Sequence, residues 1–196
     1  MVALRYLPGM TKERDAPDNA AEHTAELLIH LARLAQTGDG RLTPAQWTAL
    51  RFFARANRFS RTPSAFSEFH ATTRGTASQT VKSLVALGLL ERHRSESDGR
   101  SIRYDPTPEG RALLERDPLT ALVRALERLP DGDLRMLWRS LSAAAQEVAR
   151  QREAPQFGTC GDCSHLAAGD YCRCAAATLA IEELGALCVD FAPRSG

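Results

Sequence analysis

The sequence predicts a mainly α-helical protein that carries one small β-hairpin and ends in a short cysteine-rich tail. Three observations predict it. Apolar residues recur at three- and four-residue steps through most of the first 153 residues, the spacing of helices with one buried face. Asp98-Gly99 stands between two runs of strand character, a hairpin turn signal. All five cysteines lie after residue 159, so the tail differs chemically from the body.

At 196 residues the chain suits one medium domain, or a domain with an appendage. Its 43% apolar and 25% charged composition is that of an ordinary globular protein. A net charge of +1 exerts no overall pull toward nucleic acid or membrane, so any such attraction must come from a local patch. No apolar run approaches the ~18 residues of a membrane span. MVALRYLPGMTKERD is too polar and short for a secretory signal, which makes a cytoplasmic location the expectation. There, clustered cysteines bind metal or do redox work more often than they form structural disulfides.

Residues 1–19 have turn and charge character, and a first helix should begin near Asp18 or Asn19. Leu27, Leu28, Leu31 and Leu34 form its apolar face before TGDGR breaks it. A second helix starts at LTPAQWTALRFFARA, with Thr43 as N-cap, Pro44 at the first helical position and Gln46 completing a capping box. Trp47, Leu50, Phe53 and Ala54 are its expected core stripe. A short third helix opens at Thr62-Pro63 and carries Phe66 and Phe69. After the turn TTRG, a fourth helix runs TASQTVKSLVALG, with Thr76 as N-cap, Val81, Leu84 and Leu87 facing inward, and Gly88 as left-handed cap. LLERHR and SIRYDP make the hairpin around SESDGR. Two longer helices follow, PEGRALLERDPLTALVRALERL and GDLRMLWRSLSAAAQEVARQR, and the linker EAPQFG leads into the tail.

Two short helices joined by a tight turn and followed by a hairpin give the winged helix-turn-helix order. The fold class is therefore mainly α with a small β-hairpin wing, flanked by further helices and closed by a small Cys-rich C-terminal tail. Residues 1–42 make an N-terminal arm and helix, 43–110 the winged lobe, 111–153 further helices, and 154–196 the cysteine-rich extension. Between Arg74 and Arg103 there are six Lys/Arg (Arg74, Lys82, Arg92, Arg94, Arg100, Arg103) against Glu91, Glu96 and Asp98. The fourth helix presents Thr76, Ser78, Gln79 and Thr80 near its N-terminal end. A recognition helix reads base edges from that end, where the backbone dipole also favours phosphate. Gln can pair two-fold with adenine, while Arg and Lys hold phosphates.

Residues 43–110 resemble the DNA-binding core of MarR-type transcriptional regulators. The likeness rests on LVALGLLER at 84–92, DGRS at 98–101 and TPEG at 107–110, with Leu84, Gly88, Leu89, Arg92, Asp98, Arg100, Thr107 and Gly110 in the family's pattern. Asp105-Pro106 departs from it, because the family has an aliphatic residue there, and an irregular end to the second wing strand is expected. The resemblance implies a homodimer in which the first and last helices intertwine, so that the helices of 1–42 and 111–153 are dimerisation helices. LLIHLARL and LRMLWRSL agree, since they carry more apolar surface than one small lobe covers. The expected partner is double-stranded DNA with a pseudo-palindromic operator whose half-sites lie about 34 Å apart.

The tail reads C-x2-C-x8-C-x-C-x13-C. Two residues between Cys160 and Cys163 let both thiolates reach one ion or cluster from a tight turn, for which Gly161 and Asp162 are suited. Cys160, Cys163, Cys172 and Cys188 are the expected ligands, with Cys174 and His165 as alternates. The segment is also similar to a cysteine-rich extension of some MarR-like regulators, on CGDCSHL at 160–166 and LAIEELGALCVDF at 179–191; that likeness puts Cys172 at the ligand position. One C-x-x-C knuckle with two isolated cysteines favours an iron–sulfur cluster (4Fe-4S or 2Fe-2S), with zinc as the alternative. A disulfide switch through Cys160 and Cys163 leaves three cysteines unexplained.

The expected function is a DNA-binding regulator, repressor or activator, that senses redox state or iron through the tail. Because the tail follows the last helix, its ordering is expected to act on the dimer interface. The alternative is a regulator of a small aromatic ligand with structural zinc in the tail and a pocket near Trp47, Phe52 and His70. A thiol or electron-transfer enzyme is disfavoured: there is no strand–helix alternation around the C-x-x-C, no phosphate-cradling Gly loop and no Ser/His/Asp constellation.

Overall fold

The computed structural model describes residues 19–36, 38, 40–94 and 102–194. Seven α-helices and three two-stranded antiparallel sheets are found among them. The helices are α1 (Ala20–Leu34), α2 (Pro44–Arg55), α3 (Pro63–Phe69), α4 (Arg74–Ala86), α5 (Pro108–Leu114), α6 (Leu119–Leu126) and α7 (Asp131–Gln151). The strands are β1 (Leu90–Arg94), β2 (Ile102–Pro106), β3 (Gly158–Thr159), β4 (Tyr171–Cys172), β5 (Ala177–Thr178) and β6 (Leu187–Cys188). No helix among the described residues is long and apolar enough to cross a membrane.

The core sits in the winged lobe. Trp47, Leu50, Phe52 and Phe53 of α2, Phe66 of α3 and Val81 and Leu84 of α4 are buried together. Aromatic edges interlock there, with Phe52 and Phe53 rings 5.3 Å apart and nearly perpendicular. The α2 start forms as its sequence requires: Thr43 Oγ1 accepts from the Gln46 N–H at 3.3 Å, and Gln46 Oε1 accepts from the Thr43 N–H at 2.8 Å.

Helix α4 begins two residues earlier than its sequence suggests. Thr73, not Thr76, is the N-cap, accepting from the Thr76 N–H at 3.2 Å, so Arg74 and Gly75 lie in the first turn. The tight turn between α3 and α4 therefore uses Ala71 (φ 48°), rather than a glycine, for its left-handed residue. At the other end Gly88 (φ 71°) is left-handed as expected, and the Leu89 N–H reaches back to the Leu84 carbonyl.

The wing pairs β1 with β2 from Leu90↔Pro106 to Arg94↔Ile102. Its turn, with Glu96, Asp98, Gly99 and Arg100, lies outside the described residues. The strand end at Asp105-Pro106 is regular, contrary to expectation. Pro106 is the last paired residue, where a missing N–H costs least, and the Asp105 carboxylate pairs with Arg61.

TPEG acts as a staple. Thr107 Oγ1 donates to the Gly88 carbonyl at 2.6 Å and accepts from the Gly110 N–H at 3.0 Å, tying the start of α5 to the α4–β1 turn. Thr107→Val removes both bonds and should destabilise the protein by about 1–2 kcal/mol in denaturant unfolding. A change below about 0.3 kcal/mol contradicts this role for the hydroxyl.

The expected long helix from 108 to 129 is broken into α5 and α6. Pro118 cannot continue the helical hydrogen bonding, and Asp117 Oδ1 accepts both the Leu119 N–H and Arg51 Nη1 at 2.8 Å, fixing the corner against α2. Helices α1, α6 and α7 bury no residue in the single chain.

Candidate functional site

Two features bear on function: the outer face of α4 with the wing, and a cavity in the cysteine tail. On α4, Ala77, Val81 and Leu84 turn inward, which leaves Arg74, Thr76, Gln79 and Lys82 exposed, with Ser78 and Thr80 half-buried. Thr76 Oγ1 hydrogen-bonds Thr73 Oγ1 at 2.9 Å, and Thr80 Oγ1 donates to the Thr76 carbonyl at 3.0 Å, so both hydroxyls already serve the helix. Gln79 and Lys82 stand clear. Arg92 and Arg94 project exposed from β1. Arg103 is different: it is half-buried, donates to the Arg58 carbonyl, and lies 5.7 Å from the Phe59 ring centre.

The tail folds as one small hairpin, β4–β5, enclosed by the paired strands β3 and β6 at its two ends. Cys160 and Cys163 flank a 3₁₀ turn over Cys160–Asp162, and β3 pairs with β6, bringing Cys188 beside it. Cys172 lies on β4 and Cys174 on the following hairpin turn. A 3₁₀ segment, Ile181–Gly185, leads into β6. All five cysteines, His165 and Asp190 line one small cavity of about 20 Å³, which Asn57, Phe59, Leu166, Ala175 and Leu179 complete. Cys160, Cys163 and Cys188 are buried, Cys172 is half-buried and Cys174 is exposed.

No disulfide links the five cysteines, and their thiols differ in acidity. Cys160 is pulled down to about 7, chiefly because the Cys188 thiol donates to it; burial opposes this and the Asn57 amide assists it. Cys188 is pushed far above the ordinary thiol range by giving that hydrogen bond and by its own burial. Cys174 is raised, first by partial burial and then by the charge of Asp190. Cys163 and Cys172 act on Cys160 through charge, while the hydrogen-bonding thiol is Cys188. As the side chains stand, no three Cys, His, Asp or Glu among the described residues gather to grip a single ion. The sulfurs line the walls of a cavity instead of converging on a point.

The tail docks on the winged lobe, at residues 56–61 between α2 and α3. The sequence pointed instead to the dimerisation helices. The Asn57 N–H donates to the Leu187 carbonyl at 2.8 Å, Ser60 Oγ accepts from the Val189 N–H at 2.9 Å, and Arg58 pairs with Glu183. Phe157, Leu187 and Val189 pack on the lobe's core, with Phe157 edge-on to Phe69 at 5.2 Å. The physical reason is apolar: this loop exposes the flank of the α2–α3 core, and the tail covers it.

Asn57, which sequence reasoning missed, belongs to the cavity. It is only 2% exposed. Its Oδ1 accepts from the Phe59 and Ser60 N–H groups at 3.1 and 2.8 Å, which fixes the amide's orientation and aims Nδ2 at Cys160 Sγ, 3.3 Å away. An Asn two and three residues before backbone donors is an Asx-turn signal, but nothing local announces a sulfur partner.

A second cavity, of about 270 Å³, lies between α1, α2 and α6, lined by Phe52, Arg51, Arg55, Leu119 and Leu122 among others, and by Leu187 of the tail. Phe52 reaches it as expected; Trp47 and His70 are not among its walls.

Lobe and wing together define a winged helix-turn-helix module, to which a thiol-lined appendage is attached. Residues 42–101 match the model of the MarR family. Among solved structures the chain is similar to the MarR family transcription regulator SP03579, at 21% identity and a TM-score of 0.55 over 68% of this chain and 91% of that one. It is also similar to the transcriptional regulator SlyA, at 18% identity and a TM-score of 0.53 over 69% of this chain and 97% of that one. A MarR family protein from Bacillus stearothermophilus is 22% identical, with a TM-score of 0.50 over 66% and 90%. At these identities the likeness is one of fold. No curated protein matches the sequence.

Proposed function

We propose that the protein is a regulator rather than an enzyme: a homodimeric, sequence-specific DNA-binding transcription factor whose operator affinity responds to redox state or iron through an iron–sulfur cluster held by the tail. The observation that carries this reading is one packed body with both an exposed recognition-helix N-terminus and a single cavity walled by five thiols. The lobe's match to the MarR family supports the DNA half.

Gln79 faces bases in this reading, and Arg74, Lys82, Arg92 and Arg94 face phosphates. Gln79→Ala should cost about 5–150-fold in affinity for a duplex selected from a random pool, and relax specificity at one base pair. Lys82→Ala should weaken all sequences alike and lower the salt slope by about 1. Arg100→Ala, in the wing turn, should also weaken binding. If Gln79→Ala and Arg100→Ala both bind as the parent does, the reading face is misassigned.

Exposed apolar side chains on α1 and α7 support the dimer. Trp138 is 71% exposed, Met136 67% and Leu27 56% in the single chain, more than an isolated domain leaves uncovered. A second copy is the cover we propose. Met136→Glu should shift the protein toward monomer in sedimentation and abolish operator binding; an intact dimer contradicts this interface.

Four thiols are the donor set of an iron–sulfur cluster as well as of zinc, and one C-x-x-C knuckle with two isolated cysteines favours the cluster. Cys160, Cys163, Cys172 and Cys188 would hold it, with Cys174 and His165 at the rim. When bound, such a group supplies a centre sensitive to oxidants and to iron supply. The chain's part is mechanical: ligated thiolates bind the β3–β6 pair and the β4–β5 hairpin into one unit, whereas free thiols leave strands of two residues each and the docking on residues 56–61 to hold the tail.

A second reading rests on the other cavity. Its apolar walls with Arg51 and Arg55 suit a small aromatic anion, and the tail would then hold structural zinc. One zinc per chain, no iron and no visible absorbance after anaerobic purification favour this alternative.

A further inference from the structure

One segment touches both the cysteine cavity and the wing. At its first end, Asn57 Nδ2 reaches Cys160 Sγ at 3.3 Å, and Ser60 Oγ holds the backbone one residue after Cys188. At its other end, Arg61 pairs with Asp105 of β2, the Arg61 carbonyl accepts from the Tyr104 N–H at 3.0 Å, and the Arg58 carbonyl accepts from Arg103. Three successive residues of β2 are therefore tied to the segment.

Its interior is cross-linked. Asn57 Oδ1 bonds the N–H groups of Phe59 and Ser60, the Asn57 carbonyl also accepts from Ser60, and the Ser60 carbonyl accepts from Thr62 at 2.8 Å. Arg61 Nε closes the loop on the Ala56 carbonyl at 2.9 Å. A turn bonded in this way moves as a body, so displacement at Asn57 is passed to Arg61 instead of being absorbed between them. Burial of Asn57 and Ser60 strengthens the point, since neither side chain can exchange its partners for water.

We propose that residues 57–61 are a strut through which the state of the thiol site sets the position of the wing, with Asn57 and Arg61 as its positioning residues. The inference rests on the thiol site being occupied and lost as described above, but it names a different route from the one the sequence suggested. The tail acts on the wing of its own chain, at the base of the strand pair that carries Arg92 and Arg94. When the thiolates are ligated, Cys160 is a fixed acceptor for Asn57 and the strut holds β2 in one place. When the thiols are released, that end is freed and β1–β2 shifts relative to α4. Operator affinity changes because α4 and the wing no longer fit the duplex together.

The test uses the full-length dimer, purified anaerobically, before and after its metal is stripped with an oxidant and a chelator. Amide hydrogen exchange and affinity for a duplex selected from a random pool are measured in both states. In the parent protein, stripping should speed exchange at Tyr104 at least about fivefold and change affinity about 5–150-fold. Arg61→Ala and Asp105→Asn, both outside the cavity, should keep the parent's metal content while stripping changes affinity less than about twofold. Asn57→Ala should keep metal but alter its absorption spectrum, because a hydrogen bond to a ligand sulfur is lost. If Tyr104 exchanges at one rate in both states of the parent, the strut is overturned without recourse to any variant. If the variants keep metal and the parent's full response, the strut is overturned and the sensing reading stands. A parent protein that contains neither iron nor zinc overturns both.

Discussion

Cys188→Ala is expected to unfold the tail while sparing the lobe. Cys188 is buried, pairs through β6 with Gly158, and shares a hydrogen bond with Cys160. Its loss removes one of the four proposed ligands and opens the cavity at a buried wall. Apart from its docking on residues 56–61 and the lobe core, little else holds the tail. Its strands are two residues long, and its own buried cluster is Cys160, Leu179 and Cys188, with Phe59, Leu166, Cys172, Leu184 and Phe191 packed against it. A core of that size does not order some forty residues unaided, whereas a thiolate-bound metal contributes about 10 kcal/mol or more. Amides of residues 158–192 should lose nearly all protection from exchange, while those of α2, α4 and β1 keep theirs. Equal protection of the tail in parent and variant contradicts the claim that ligation holds it.

Gly110→Ala is expected to produce the largest loss in the lobe itself. A β-carbon at Gly110 would lie 2.2 Å from the Leu89 carbonyl oxygen and 3.1 Å from its carbon, both of them backbone. Neither can rotate away. Leu89 joins α4 to the wing, and its carbonyl accepts from the Thr107 N–H, so relief requires α5 to lift off the α4–β1 turn. Such overpacking costs roughly 3 kcal/mol, or about 6–12 °C of melting temperature for a chain of this size. A melting temperature within about 2 °C of the parent contradicts the close approach. The glycine of TPEG is thus explained by the packing of α5 on the wing base, and its partner Thr107 by the staple beside it.

These features differ in how legible they were. The α2 start was readable because Thr43, Pro44 and Gln46 act on one another within four residues. The C-x-x-C turn was equally local. Gly88 and the existence of the hairpin followed from turn chemistry. The break at Asp117-Pro118 was present in the sequence but was outweighed by leucine periodicity that runs through it; a proline after an aspartate should have ended that helix. The α4 start was misread because Thr73 and Thr76 are both capable caps, and only the structure distinguishes which of them accepts. Asn57 was invisible for a different reason. Its partner Cys160 lies 103 residues away, and no local pattern encodes a contact of that range. The same holds for the docking of the tail on residues 56–61, which depends on the shape of a core flank that no local pattern describes.

The account's central claim is that metal at the tail cysteines governs how well the α4 face and wing hold DNA. It is tested most directly by measuring, in one anaerobic sample, the iron and sulfide content and the affinity for the selected duplex before and after the metal is removed. The account predicts a coloured protein with iron and acid-labile sulfide, and an affinity that changes at least about fivefold on removal and recovers on reconstitution. Iron-free protein, or iron-loaded protein whose affinity is the same in both states, contradicts it.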